Sequence, residues 1–296
     1  MQEEQIHIDA TLARTLVAEQ FPHWAHLPVR AMPAQGWHNR SFLLGGDMVL
    51  RLPSAQAYAA QVPREQRWLP YLRRHLPVEI PQPLAQGRPG CGYPFAWSVY
   101  RWIDGDTVAS RPPSDLHLFV TDLARFLNAL RAVPAADGPA AGEDNFHRGG
   151  ALGVYDAQAR EAFAVLRDRI DAEVALRVWD AGLASAWAQP PVWVHGDIAP
   201  GNLLVRAGRL AAVIDFGQLA VGDPACDLAI AWSYLRAPQR ETFRATLGLD
   251  AATWQRGKAW ALWKAAIMTA GIAPTTQAEE QASKRTLDEV LATVAG

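Results

Sequence analysis

Apolar and polar positions follow two different periods along this chain, and the change falls near residue 102. Ile8–Gln20 carries Leu12, Leu16 and Val17 at helical spacing, with Asp9 where an N-cap belongs. Short apolar runs follow at Val29–Ala34, Ser41–Leu44 and Met48–Leu52, separated by QGWHN and GGD. Those separators are turn chemistry, so the runs predict two or three antiparallel strands. Pro63–His75 predicts a helix with Trp68, Leu69 and Leu72 on one face, and Pro70 must kink or shorten it. Pro77–Pro83 reads as extended. Phe95–Ile103 reads as a buried strand that ends in the turn Asp104-Gly105-Asp106.

Beyond that turn the period is helical. Ser114 is expected to cap a helix running to about Ala132, whose Phe119, Val120, Leu123, Phe126, Leu127 and Leu130 form a wide apolar stripe. Pro134–Gly150 is rich in Pro, Gly and Asp and predicts a long loop; Tyr155–Trp187 predicts two helices. Further helices are expected at about Pro224–Leu235, Ala252–Gly271 and Thr276–Ala292, the last with a capping box from Thr276 and Glu279. The pattern predicts an α+β chain of two lobes. An N-terminal antiparallel-sheet lobe with one main helix takes residues 1–102, and a mostly helical lobe takes residues 103–296.

Composition narrows the class. At 296 residues, half apolar and a fifth charged, the chain can bury two cores. A net charge of −2 supplies no basic field for nucleic acid. Cys91 and Cys226 are too few for a disulfide framework or a zinc site and fit a reducing compartment. The acidic start has no signal-peptide layout, and Lys264 interrupts the longest apolar run short of a membrane span. The expectation is a soluble cytoplasmic protein. Lysine occurs only at 258, 264 and 284, so arginine supplies nearly all the positive charge.

Candidate chemistry concentrates in one stretch, PVWVHGDIAPGNLLVRAGRLAAVIDFGQLAVGDPACDLAIA from Pro191. Asp197, Asn202 and Asp215 each sit where an apolar run breaks into a turn, so they can converge on one point. One such Asp alone is ordinarily a turn or cap residue. Together, HGD-x4-N followed by apolar-Asp-Phe-Gly is close to the paired HRD-x4-N and DFG motifs of the kinase core. Phosphoryl transfer needs a carboxylate that orients the attacking hydroxyl and takes its proton. It also needs hard oxygen ligands holding Mg²⁺ against nucleotide phosphates. His195 reads as a packed scaffold residue, because Asp197 already fills the acid–base role. Asp223 and Asp227 read as caps that tie the loop down, and Gly217 and Gly222 as tight-turn positions.

HGDIAPGN at 195–202, IDFG at 214–217 and GDPACDLA at 222–229 resemble the aminoglycoside phosphotransferase family of kinase-like enzymes; VLRLP at 49–53 and FAWSVYRWIDG at 95–105 fit its N-terminal lobe and hinge. The resemblance implies a protein-kinase-like bilobal fold with ATP or GTP and Mg²⁺ between the lobes. The acceptor would be a small-molecule hydroxyl, on an aminoglycoside-like antibiotic or a related alcohol. By matching position Asp197 would be the catalytic base, and Asn202 and Asp215 the Mg²⁺ ligands. Kinase-like enzymes place a lysine on the third strand, paired with a helical glutamate. Here Arg51 is the stand-in and Glu65 its natural partner, with Arg64 and Arg67 as competitors for that pairing. QGWHNRS at 35–41 sits where a phosphate-covering loop belongs, with Asn39 and Ser41 as candidate contacts and a plain hairpin turn as the alternative. Val99, Tyr100, Arg101 and Trp102 are placed by resemblance at the hinge that reads the base. The loop at 143–150 and the helices after 224 are placed at the acceptor. There Trp232, Trp254, Trp260 and Trp263 read mainly as core, with an aromatic cage for a quaternary amine as the alternative. Glu279, Glu280, Asp288 and Glu289 could attract a polycation, although a solvated face is the commoner reading. A protein kinase and a catalytically silent nucleotide-binding module are the competing classes.

Overall fold

A computed structural model of the chain describes residues 7–33, 36, 38–135 and 137–292. The first six residues, and Ala34, Gln35 and Trp37 of the expected strand end and phosphate loop, lie outside the described residues.

The short apolar runs form one antiparallel sheet in the order β1-β2-β3-β5-β4. Its strands are β1 (Val29–Ala31), β2 (Asn39–Leu44), β3 (Met48–Pro53), β4 (Pro83–Gly87) and β5 (Trp97–Arg101). Gly45, at φ +64°, makes the hairpin turn that puts Leu44 opposite Met48, and this register leaves Phe42, Leu44, Leu50 and Leu52 buried. Helix α1 (Ala10–Gln20) is capped by Asp9, which accepts from Leu12 N at 2.8 Å, and packs Ala13, Leu16 and Val17 on that core. The weakly patterned β4 was not expected as a strand. After a single turn, α2 (Gln56–Ala59), comes the main helix of this lobe, α3 (Gln61–Leu72). Pro70 lies inside it and the helix stops at Leu72 rather than His75.

The second core is larger and helical. It is built from α4 (Leu116–Ala132), α5 (Asp156–Val165), α6 (Ala172–Leu183), α7 (Ile230–Ser233), α8 (Ala237–Leu247), α9 (Ala251–Thr269) and α10 (Gln277–Ala292). Asp115, not Ser114, caps α4, accepting from Leu118 N at 3.0 Å. The helix expected from Pro224 is a tight 3₁₀ turn through Ala229 before α7, pressed so closely on α9 that a Cβ at Gly257 would lie 2.6 Å from Leu228. The capping box at α10 is present, with Thr276 N donating to Glu279 at 2.7 Å. Helix α9 is buried on nearly every side and contacts α5, α6, α7 and α10. Two small sheets face the first lobe: β6 (Asp106–Thr107) with β8 (Leu203–Arg206) and β9 (Arg209–Val213), and β7 (Val192–Val194) with β10 (Ala220–Gly222). The connection from β7 into β8 carries Asp197 and Asn202, and the turn leaving β9 carries Asp215.

Candidate active site

The loop after β7 is held from beneath. The buried Asp227 carboxylate accepts from His195 N and Gly196 N, both at 2.8 Å. Gly196 has φ +84°, and a Cβ there would sit 2.6 Å from Gln218 O, so the close approach requires glycine. The buried His195 ring donates from Nε2 to Ile214 O at 3.0 Å and accepts from Asp197 N at Nδ1, 3.2 Å. The imidazole is therefore a strut between the two motif loops, with both nitrogens occupied.

Asp197 is the hub. Its Oδ2 and backbone oxygen accept from Asn202 Nδ2 at 3.1 and 2.9 Å, and its Oδ1 accepts from Lys264 Nζ at 2.8 Å. Ile214 N donates to Asn202 O at 2.9 Å, which brings Asp215 beside the Asn202 turn. Asp215 has φ +65°, a left-handed conformation uncommon outside glycine, and that backbone geometry turns its carboxylate toward the opposite lobe. There its Oδ1 accepts from Arg51 at 2.6 Å. Arg51 also pairs with Glu65 at 3.3 Å, and Glu65 accepts from Tyr100 OH at 2.5 Å. The expected Arg51–Glu65 pair thus forms, because Arg64 is bonded to Asp144 O and Gly217 O and Arg67 lies over the Trp68 ring.

Burial and charge set the ionisation of this network. Burial works to raise the Asp197 carboxyl, but the Lys264 ammonium and its hydrogen bond outweigh it and hold Asp197 well below the usual carboxylate range. Burial likewise opposes the charge on Asp215, and Arg51 reverses the balance and lowers it. Glu65 goes the other way: desolvation raises it despite Arg51.

Two expectations change here. Val99 and Tyr100 pair with strands on both sides, Arg101 N donates to Gln82 O at 2.9 Å, and Trp102 N donates to Asp47 O at 2.7 Å. Sheet pairing has taken those backbone donors, so residues 99–102 do not form an open edge for a base; Tyr100 serves through its hydroxyl, on Glu65. Gly217 and Gly222 have no positive φ. They permit close approach instead, since a Cβ would lie 2.5 Å from the Gln61 side chain and 2.1 Å from Gly149 O respectively. On the phosphate side, Ser41 stands directly opposite Arg51 on the β2–β3 pair, and Asn39, two residues earlier, shares that face.

A cavity of about 290 Å³ opens beside this hub, lined by His38, Phe146, Arg148, Tyr155, Gln158 and Trp263 among others. Tyr155 stacks on Trp263 at 4.0 Å. Arg148 donates from Nε to Gln218 and lays its guanidinium over the Trp260 and Trp263 rings at 5.1 and 4.8 Å. The faces that would make a cage for a quaternary amine are thus covered by the chain's own arginine. Trp232, Trp254, Trp260 and Trp263 are all buried. Lys264 and Arg148 escaped the sequence reading. Lys264 did carry a signal, as a lone charge inside the apolar run AWALWKAAIM.

Fold and site together define a kinase-like protein, two lobes meeting across one buried polar network. The chain belongs to the phosphotransferase enzyme family, whose model matches residues 31–260. An aminoglycoside 3'-phosphotransferase of Escherichia coli is 32% identical over 148 residues, 47% of this chain and 53% of that one, so the chain spans about half the length of that relative. The enzyme of the same name from Streptomyces fradiae is 29% identical over 229 residues, covering 68% of this chain and 81% of that one. Among solved structures, the GDP and kanamycin complex of APH(2")-IIia superposes with a TM-score of 0.72 at 20% identity, covering 95% of this chain and 98% of that one.

Proposed function

We propose that this protein transfers the γ-phosphoryl group of ATP or GTP to a hydroxyl of a small molecule. One observation carries the reading: Lys264, Asp197, Asn202, Asp215, Arg51 and Glu65 meet at a single cleft from both lobes. The phosphotransferase relatives support it, and the nucleotide in the GDP and kanamycin complex supports a nucleotide donor. Asp197 would orient the acceptor hydroxyl and accept its proton. Its depressed carboxyl is a weak base, which suits a loose transition state in which positioning outweighs proton abstraction. Arg51 would exchange Asp215 for nucleotide phosphate, with Glu65 holding it in place and Ser41 and Asn39 beside it.

Asn202 commits Nδ2 to Asp197, which leaves its Oδ1 to serve as a metal ligand, and the Ile214 N–Asn202 O bond ties its turn next to Asp215. An amide and a carboxylate oxygen fit Mg²⁺, an ion usually held by one or two protein oxygens with nucleotide phosphates completing its shell. Among the described residues no group of three or more His, Cys, Asp or Glu side chains could hold a metal by itself. When bound, Mg²⁺ would neutralise phosphate charge and fix phosphate geometry. We place the lobe division near residue 102, the base beside the segment that follows Trp102, and the protein in the cytoplasm, in keeping with its two unpaired cysteines. Among the described residues no helix is long and apolar enough to cross a membrane.

The test is transfer itself. With Mg-ATP or Mg-GTP and a panel of small alcohols, the protein should form a phosphate monoester and nucleoside diphosphate. Equal turnover by the Asn202→Ala/Asp215→Ala variant would remove the reading. Arg51→Ala should weaken nucleotide binding about tenfold or more, the scale of a lost charge-assisted bond. An unchanged nucleotide Kd by calorimetry would place the phosphate grip elsewhere.

Lys264→Met should shift the pH profile. It removes the ammonium that depresses Asp197 while burial continues to raise it, so the carboxyl moves up toward its ordinary range, with Arg148 still holding it down in part. Protonation then switches Asp197 off at a higher pH. The acid limb of kcat/KM should move upward, whereas a merely structural lysine would lower activity evenly across the profile.

A further inference from the structure

We propose that the acceptor pocket selects an anionic alcohol, one whose acid group meets Arg148 while an apolar or aromatic face lies against Phe146 and Tyr155. The inference rests on the phosphotransferase reading and concerns the charge of its second substrate. Among the described residues no carboxylate lines the cavity beside Asp197, and the one charged lining residue is Arg148. Arg148 Nε donates to Gln218, and its terminal nitrogens donate to no other described residue. Lys264, the residue after Trp263, is balanced by Asp197 and adds no net charge, so Arg148 is the unbalanced group.

The surrounding acids are engaged or stand outside. Asp156 is bonded to Arg160 and Trp179, Glu280 to Lys284, and Glu289 to Arg236 and Arg240, while Glu279 closes the helix cap at Thr276. Glu143 and Asp144 are exposed in the turn before Phe146 and do not line the cavity. A polycation such as kanamycin needs carboxylates around its ammonium groups, because unlike charges attract strongly in a half-buried site and like charges repel as strongly. Here it would meet Arg148, with the Asp197 carboxylate already paired to Lys264. The terminal Arg148 donors that remain, beside the Phe146 and Tyr155 rings, suit a compact molecule carrying a ring or apolar face and one carboxylate or phosphate.

Four probes separate the charge classes: 4-(hydroxymethyl)benzoate, its neutral amide, 4-(aminomethyl)benzyl alcohol and kanamycin. Binding is read from tryptophan fluorescence with Mg-ADP present, and phosphate transfer from Mg-ATP is read in parallel with Asp197→Ala as the blank. The carboxylate should bind about tenfold or more tighter than the matched amine, the preference should shrink with salt, and Arg148→Glu should reverse the order. Tighter binding of the amine or of kanamycin, an order unmoved by Arg148→Glu, or no binding of the carboxylate up to its solubility would each overturn the proposal. If the anion preference holds but no Asp197-dependent transfer to any acceptor or to water is found, the phosphotransferase reading falls and the substrate assignment falls with it.

Discussion

Asp197→Ala should lower phosphoryl transfer by about 10²- to 10⁴-fold, the range associated with a positioned general base, and leave Mg-nucleotide affinity essentially unchanged. The two effects separate because of geometry. In the proposed roles the nucleotide side of the cleft would rest on Arg51, Asp215 and Asn202, and Asn202 keeps its bond to the Asp197 backbone oxygen whatever the side chain. The protein should fold normally. Lys264 is 40% exposed on its side chain, so an ammonium freed from Asp197 can hydrate rather than stay buried and unpaired. Asp197→Asn refines the test, since the amide preserves shape and removes only the charge and the proton acceptor. It should lose as much as Ala. Near-normal turnover by either variant sinks the base assignment.

What was legible in the sequence and what was not follows from how each group finds its partner. Strong local signals transferred to the fold: Asp9 does cap its helix, GGD does turn the β2–β3 hairpin, and Thr276 and Glu279 do close the capping box. Each is complete within a few residues. Elements with weak patterns were lost. β4 alternates in burial but carries Leu84 on its exposed face, so PLAQG hides the period, and α8 buries Phe243 and Leu247 alongside Arg240, so its inner face reads as half polar. Arg240 is tolerable there because it is bonded to Ala231 O, Leu235 O and Glu289, none of which a periodicity argument can see.

The site divides the same way. Asp197, Asn202 and Asp215 stand out because the loop that unites them is short and carries its own spacing. Arg51 and Glu65 could be paired because one strand and one helix fix them close together. Lys264 reaches Asp197 across 67 positions of sequence, and Arg148 reaches Gln218 across 70, contacts made only when α9 and the 143–150 loop pack on the catalytic loop. The engaged N–H groups at Arg101 and Trp102 escaped the sequence for a related reason: whether a backbone N–H is open depends on the strands beside it, and β5 is an interior strand of its sheet.

Arg256→Met should destabilise the protein by roughly 3–5 kcal/mol, the cost of leaving a buried charge without its partner, and lower Tm by on the order of 10 °C. Arg256 donates to Asp223 from Nε at 2.6 Å and from Nη2 at 3.3 Å, with Ser185 and Thr253 taking further donors. Both partners are nearly inaccessible, at 4% and 10% side-chain exposure. Asp223 cannot swing to solvent, because its Oδ1 caps Ala225 N and its own N–H is bonded to Gly149 O. Asn at 223 would keep the cap without the charge, so Arg256→Met/Asp223→Asn should recover part of the loss. Denaturant unfolding of the parent and both variants measures this directly, and an Arg256→Met variant as stable as the parent would show that the pair contributes nothing. The consequence reaches the chemistry. Asp223 opens the same tight turn that carries Asp227, and Asp227 holds His195 and Gly196 in place. Below its own melting temperature, Arg256→Met should therefore lose kcat more than nucleotide affinity, because the turn it anchors supports the Asp197 loop rather than the Arg51 side of the cleft.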